Sequence, residues 1–214
     1  MKIIFIVFLL MVSVSPGRAD TGSSHNFFYL NKIDQDKSFV ARSNLATRDG
    51  FEDFFFGYVD ANIRFKIDPS WSFEAGYRQA YLELDSGWRK EYRPQFSLAW
   101  RGKVGDWGFR NRNRLEFRHF EGDAKDRIRY RNESVWTAPY KTSRYNLTPF
   151  VSEEFFYDVT DHNLNLNWLT VGVSHRLTNK SKWKLGYRLQ HQKFNNQWST
   201  RHVLVTGISF LNFD

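Results

Sequence analysis

Phe55-Phe56-Gly57-Tyr58-Val59-Asp60-Ala61-Asn62-Ile63-Arg64-Phe65-Lys66-Ile67 reads in steps of two. Odd positions are nearly all apolar, while even positions turn polar from Asp60 onward. A helix would scatter those apolar residues around its circumference; a strand gathers them on one face. The same alternation returns in Trp71, Phe73, Ala75 and Tyr77 set against Ser72, Glu74, Gly76 and Arg78. It returns again in Tyr92 to Arg101 and in Trp183 to Gln190.

Extending the pattern in both directions gives about ten strands, at 38–48, 53–67, 71–84, 91–103, 107–120, 126–138, 144–157, 166–176, 183–193 and 201–213. Twelve is the alternative count. Most are far longer than the usual five or six residues, and long enough to cross a bilayer at a tilt. Pro94 and Pro149 fall inside two of them and predict local distortions, because each removes a ladder donor.

The connections between these strands alternate in kind. Turns near 67–70, 104–106 and 178–181 are short. Those at 85–90, 121–125, 158–164 and 195–200 are longer or more polar. That asymmetry is the habit of outer-membrane barrels, and an even strand count puts both termini on the short-turn, periplasmic side.

Composition sets the outer limits. The chain has 214 residues, no cysteine and a net charge of +8; 18% of it is aromatic, yet its mean hydropathy is −0.59. Lack of cysteine excludes a disulfide scaffold, thiolate metal sites and a cysteine nucleophile. No run of 18 apolar residues exists, which excludes a bundle of membrane-spanning helices.

At the N-terminus, Lys2 precedes an apolar stretch from Ile3 to Val14, and Gly17-Arg18-Ala19 supplies small residues at −3 and −1. This predicts a cleaved signal peptide over 1–19. Removing it takes away Lys2 and Arg18 and lowers the net charge to +6. Residues 20–37 then form a periplasmic N-terminal segment (a tail, a small plug or an extra short strand), and 38–214 the barrel.

Two sets of residues carry the functional expectation. Trp71, Trp100, Trp107, Trp136 and Trp183 lie at strand ends beside the short turns and in the apolar phase. They predict a periplasmic aromatic girdle at a lipid interface. In the polar phase stand Arg110, Arg112, Arg114, Glu116 and Arg118, answered by Arg127, Arg129, Arg131 and Glu133, with Glu154 beyond. Arginines at alternate positions cannot all point into lipid, so this ladder must face a lumen. Partners summing to 247, with Glu116 against Arg131 and Arg114 against Glu133, are expected on charge, as is Glu154 opposite Arg127. The ladder is either ion-paired filling or a path or binding groove for small anions.

The segments Glu91-Tyr92-Arg93-Pro94, Arg110 to Arg118, Arg127 to Arg131, Leu147-Thr148-Pro149-Phe150 and Ser152 to Phe156, in this order, resemble an uncharacterised bacterial outer-membrane family. It is catalogued as domain of unknown function 2490. The resemblance covers about residues 38–213 and implies a transmembrane β-barrel with no established activity. The ending departs from the usual outer-membrane pattern: Asp214 follows Phe213, so Phe210 or Phe213 is left as the terminal aromatic.

The whole predicts an all-β, transmembrane, antiparallel up-and-down barrel in the outer membrane of a Gram-negative bacterium. Its expected partners are outer-membrane lipid, the barrel-assembly machinery and small anionic solutes. A porin-like narrow channel or binding barrel leads. A closed structural barrel working through its loops is the alternative. A rim hydrolase built on His119, His162 or His191 is the third reading. No cofactor, metal site, catalytic group or nucleic-acid partner is expected.

Overall fold

The computed structural model describes residues 20–49, 52–142, 145–194 and 197–212. Residues 1–19, expected to be a signal peptide, and Phe213 and Asp214 lie outside them. Eleven strands form one closed barrel. They are β1 (Asp20–Lys32), β2 (Lys37–Arg48), β3 (Asp53–Lys66), β4 (Trp71–Leu84), β5 (Gly87–Val104), β6 (Trp107–Phe120), β7 (Arg127–Thr137), β8 (Thr148–Asp158), β9 (Asn163–Arg176), β10 (Ser181–Phe194) and β11 (Gln197–Asn212).

The count is therefore neither ten nor twelve. The additional strand is β1, in the N-terminal segment for which a tail, a small plug or an extra short strand was expected. Its first half alternates Gly22, Ser24 and Asn26 with Ser23 and His25, which gives no apolar face to read. The barrel still needs it, because β1 closes the ring. It pairs antiparallel with β2 and parallel with β11, from Asp20↔Arg201 to Asn31↔Asn212. All other neighbours are antiparallel.

An odd count with a parallel closure sends the first and last described residues, Asp20 and Asn212, to opposite ends, not to one side. We call the end holding Asp20 the entry mouth and the end holding Asn212 the exit mouth. Strands meet at the exit mouth through 33–36, 67–70, 105–106, 138–147 and 177–180, and at the entry mouth through 49–52, 85–86, 121–126, 159–162 and 195–196. The expected division into short turns and long loops is absent, since the longest connection, 138–147, lies among the supposed short turns. Strands β5 and β11 also extend into what the sequence suggested were loops.

Local chemistry explains the tight turns. Asp34 Oδ1 accepts from the backbone N–H of Asp36 and Lys37, and Asp68 Oδ1 accepts from Ser70 and Trp71. The two-residue turn 105–106 needs the positive φ of Gly105 (59°). At Pro94 the ladder between β5 and β6 skips a step and resumes in the same register. Pro149 is accommodated next to the start of β8.

The register between β6 and β7 sums to 245, two residues away from expectation. Arg114 thus stands opposite Arg131. The charges are still satisfied, because Glu116 faces Arg129 and Glu133 faces Arg112 directly. Outside, the same register stacks Phe109 on Trp136 with ring centroids 4.3 Å apart. Glu154 faces Glu133 rather than Arg127, since 138–147 forms a turn with its own Thr142↔Leu147 bridge and delays the start of β8.

The faces fall as the alternation predicts. Leu45, Val59, Phe96, Leu185, Leu204 and Ile208 are exposed on the outer wall, while Asp60, Glu74, Arg78, Gln95, Arg114 and Glu116 are buried inside.

The parallel seam is directly testable in this cysteine-free chain. On the outer wall, His25 Nδ1 and Thr206 Oγ1 are 2.8 Å apart. The double variant His25→Cys/Thr206→Cys is expected to cross-link on oxidation of the folded protein, read by non-reducing electrophoresis. Asn26→Cys/Thr206→Cys, whose side chains take opposite faces, is expected not to.

Candidate functional site

Strand period two carries every charged residue of the lumen to the same side of the wall, and the wall then brings distant strands together. The centre is Glu116 on β6, which is 0% exposed. Its carboxylate accepts from Arg129 (Nε 2.8 Å, Nη2 2.5 Å) and from Arg131 (Nη1 2.7 Å). Arg114 at 3.7 Å and Arg78 at 3.9 Å complete the ring of guanidiniums. Arg131 is shared, since its Nη2 donates to Glu154 at 2.7 Å. Four strands (β4, β6, β7 and β8) are thereby tied through one carboxylate and its neighbours.

Similar knots flank it. Asp60 on β3 accepts from Arg78 at 2.7 Å and faces Arg42 at 3.3 Å. Glu74 on β4 receives Arg42 at 2.7 Å and Arg64 at 3.0 Å. Glu91 is gripped by Arg93 and Arg118. Glu133 accepts from Arg110 at 2.7 Å and pairs with Arg112 at 2.8 Å, and Arg112 also reaches Glu154 at 3.6 Å. That bridge is what lets Glu133 and Glu154 stand opposite each other. Arg127, nearer the entry mouth, joins Asp158 (3.4 Å) and Asp161 (3.0 Å). Rings cover the guanidinium faces: Arg78 lies 3.6 Å over Tyr58, and Arg131 lies 4.4 Å over Phe156.

All seven arginines and three glutamates of the anticipated ladder therefore face inward, and six of the seven arginines pair within 3.5 Å of a carboxylate. Arg114 instead has Ser97 at 3.2 Å and leaves Nη2 without a partner. The ladder is ion-paired within the barrel.

Sequence reasoning did not single out Arg42, Arg78, Arg93, Asp60, Glu74 and Glu91, although the period-two phase that exposed the ladder also marks them. It also passed over a second group. Arg101, Arg176, Lys182 and Lys184 face the lumen near the exit mouth, and among the described residues no carboxylate lies within 4.0 Å of any of them. Deeper on the same wall, Arg188 donates Nε to Thr170 at 3.2 Å and stacks 4.2 Å over Trp168.

On the outer wall the five tryptophans form one level by the exit mouth. Trp71 pairs with Trp100, Trp100 packs on Phe109, and Phe109 on Trp136. Trp107 meets Tyr140, and Trp183 meets His175. The rim histidines do not converge. His119 Nδ1 lies 2.6 Å from exposed Asp126, His191 bonds Thr200, and His162 sits in the 159–162 turn. Among the described residues no group of three His, Asp or Glu side chains is placed to hold a metal.

Residues 24–201 match the family described as protein of unknown function (DUF2490), and the chain belongs to it. No curated protein and no solved structure matches the chain.

Neutralising Glu116 strands several guanidiniums in the interior. Glu116→Gln is expected to destabilise the barrel by about 3–5 kcal/mol, measured by urea unfolding in detergent micelles. Glu121→Gln, which cuts the exposed contact to Lys90, is expected to leave the midpoint unchanged.

Proposed function

We propose that this family member is an outer-membrane barrel of a Gram-negative bacterium, exported by its first 19 residues and inserted by the barrel-assembly machinery. In this reading the lumen is closed to solutes at mid-height and acts as a binding barrel for small anions, not as a conducting pore. The closed lumen rests on one observation. Side chains from β3 to β8 meet across the lumen in a knot where Asp60, Arg78, Gln95, Arg114 and Glu116 are all buried.

Support for the membrane comes from the inversion of the faces. A soluble barrel packs its apolar residues inside and shows charge to water. Here the buried set is dominated by charged and amide side chains, while outward positions at mid-strand expose large apolar residues such as Val59, Phe96, Leu115 and Leu204. Buried ion pairs give little net stability on their own. The arrangement gains its free energy when lipid covers the outer wall. The tryptophan level by the exit mouth fits an interfacial girdle, which would turn that mouth to the periplasm.

The alternative, a barrel acting through its loops, draws no support from loop size, since four of the five entry-mouth connections span two to four residues.

Two measurements test the proposal. In planar bilayers the wild-type barrel is expected to show no stepwise conductance, and reproducible single-channel steps would overturn the closed lumen. In lipid vesicles, Leu204→Arg on the outer wall is expected to cost about 2–4 kcal/mol of folding free energy. A shift near zero would mean that this wall does not meet hydrocarbon.

A further inference from the structure

We infer that the exit mouth holds a binding site for a small multivalent oxyanion, built by Lys182, Lys184 and Arg188 on β10, Arg176 on β9 and Arg101 from the facing wall. The inference rests on the reading of the lumen as a binding barrel, and it moves the site away from the arginine ladder.

Charge is distributed unevenly along the axis. At mid-height and toward the entry mouth, each inward carboxylate has arginines around it: Glu116, Asp60, Glu91 and Asp158 are all engaged. Toward the exit mouth the cations outrun the acids. Arg101 stands directly opposite Arg110, and Lys182 directly opposite Arg176, with no acid in either pair. The charges of Arg176 and Arg101 both act on Lys182, and those of Arg188, Arg110 and Lys182 act on Lys184. β5 and β10 lie on opposite sides of the ring, so these side chains converge from both walls. The carboxylates acting on Lys184 and Arg188 are Glu133, already held by Arg110 and Arg112, and Glu154, already held by Arg131.

The wall behind them is built of small residues, with the Phe150 ring lying over Gly172 and Gly186 and the Lys184 stem over Gly207. Inward positions of β9 to β11 carry Gly172, Ser174, Gly186, Gly207 and Ser209, whereas β6 and β7 fill theirs with arginine and glutamate. Arg101, Arg176, Lys182 and Lys184 are correspondingly exposed within the mouth. At the deep end, Arg188 is fixed by Thr170 and by the Trp168 ring. Its terminal nitrogens have no partner among the described residues, and the buried Trp168 indole N–H has none either. The site thus offers donors and positive charge but few acceptors. That chemistry selects phosphate or carboxylate groups, with Arg188 as the planar fork and the lysines as mobile point charges.

Trp168 also supplies the readout, because the other seven tryptophans take outward positions on their strands. The purified full-length mature barrel in non-ionic detergent at 150 mM NaCl would be titrated with pyrophosphate and, separately, with citrate, following tryptophan fluorescence. Saturable binding of either probe is expected, and the two arms separate phosphate from carboxylate recognition. Lys182→Ala/Lys184→Ala and Arg188→Gln should each weaken binding tenfold or more. Arg201→Ala at the entry mouth should leave affinity unchanged. Trp168→Phe should abolish the signal while calorimetry still detects binding. Absence of saturable binding of both probes would overturn the site, as would affinity that survives the β10 variants or is lost equally in Arg201→Ala. None of these outcomes bears on conductance, so a failed site and a failed closed-lumen reading are told apart.

Discussion

A charge turned into a narrow barrel cannot be fully hydrated, so another side chain must answer it. Glu116 meets that requirement most completely, and much of the barrel's interior is organised around it. Backbone ladders join each strand only to its two neighbours and are indifferent to the shape of the cross-section. Contacts such as Glu116 with Arg78 and Arg42 with Glu74 run between strands that are not neighbours and restrict that shape. Removing one partner in such a cluster is far worse than never having built it, since what remains is an uncompensated buried charge. The interior therefore behaves as a unit. It resists piecemeal change and, in the reading proposed above, blocks the bore.

The sequence yielded the wall more readily than the interior. Strands β4 and β6 were legible to the residue, and β3 to within one, because large apolar residues alternate with polar ones through most of their length. The inward facing of all seven ladder arginines followed from the same period. Three other features were not legible, each for a physical reason. Strand β1 opens on small and polar residues on both faces, and its partner β11 is 181 positions away in the chain at His25↔Thr206. The β6–β7 register was sought by pairing directly opposite charges, but arginine is long enough to bind diagonally, so Arg114 facing Arg131 is tolerated around a shared Glu116. The β7–β8 register depended on where the strand began, and Thr142↔Leu147 consumed residues that alternation alone had assigned to β8.

The parallel seam changes how the molecule is laid out. In an even antiparallel barrel, the chain begins and ends at one rim. Here β1 must run alongside β11, so Asp20 and Asn212 lie at opposite mouths. The seam itself is tied on the outer wall by short polar side chains: Ser23 with Thr47, Ser23 with His25 and His25 with Thr206. Ladder bonds in a parallel pair are slanted and slightly weaker per residue. Side-chain hydrogen bonds satisfied among themselves add to the closure without leaving unpaired polar groups on that face.

The net positive charge acquires a location from this layout. Had the surplus been spread evenly through the lumen, it would read as imperfect neutralisation of a polar filling. It is instead concentrated where the filling stops, on the small-residue wall of β9 to β11 and opposite it on β5. Opposed pairs such as Lys182 with Arg176 repel one another and contribute nothing to closing the barrel. A single glutamate in place of either would relieve the repulsion with no change of fold. Cations held together in this way raise the local potential, and an enclosed mouth with low-dielectric walls focuses it further. The anion that lowers this energy most is one that reaches several cations at once, which is why valence, more than chemical identity, is the property this mouth is built to select.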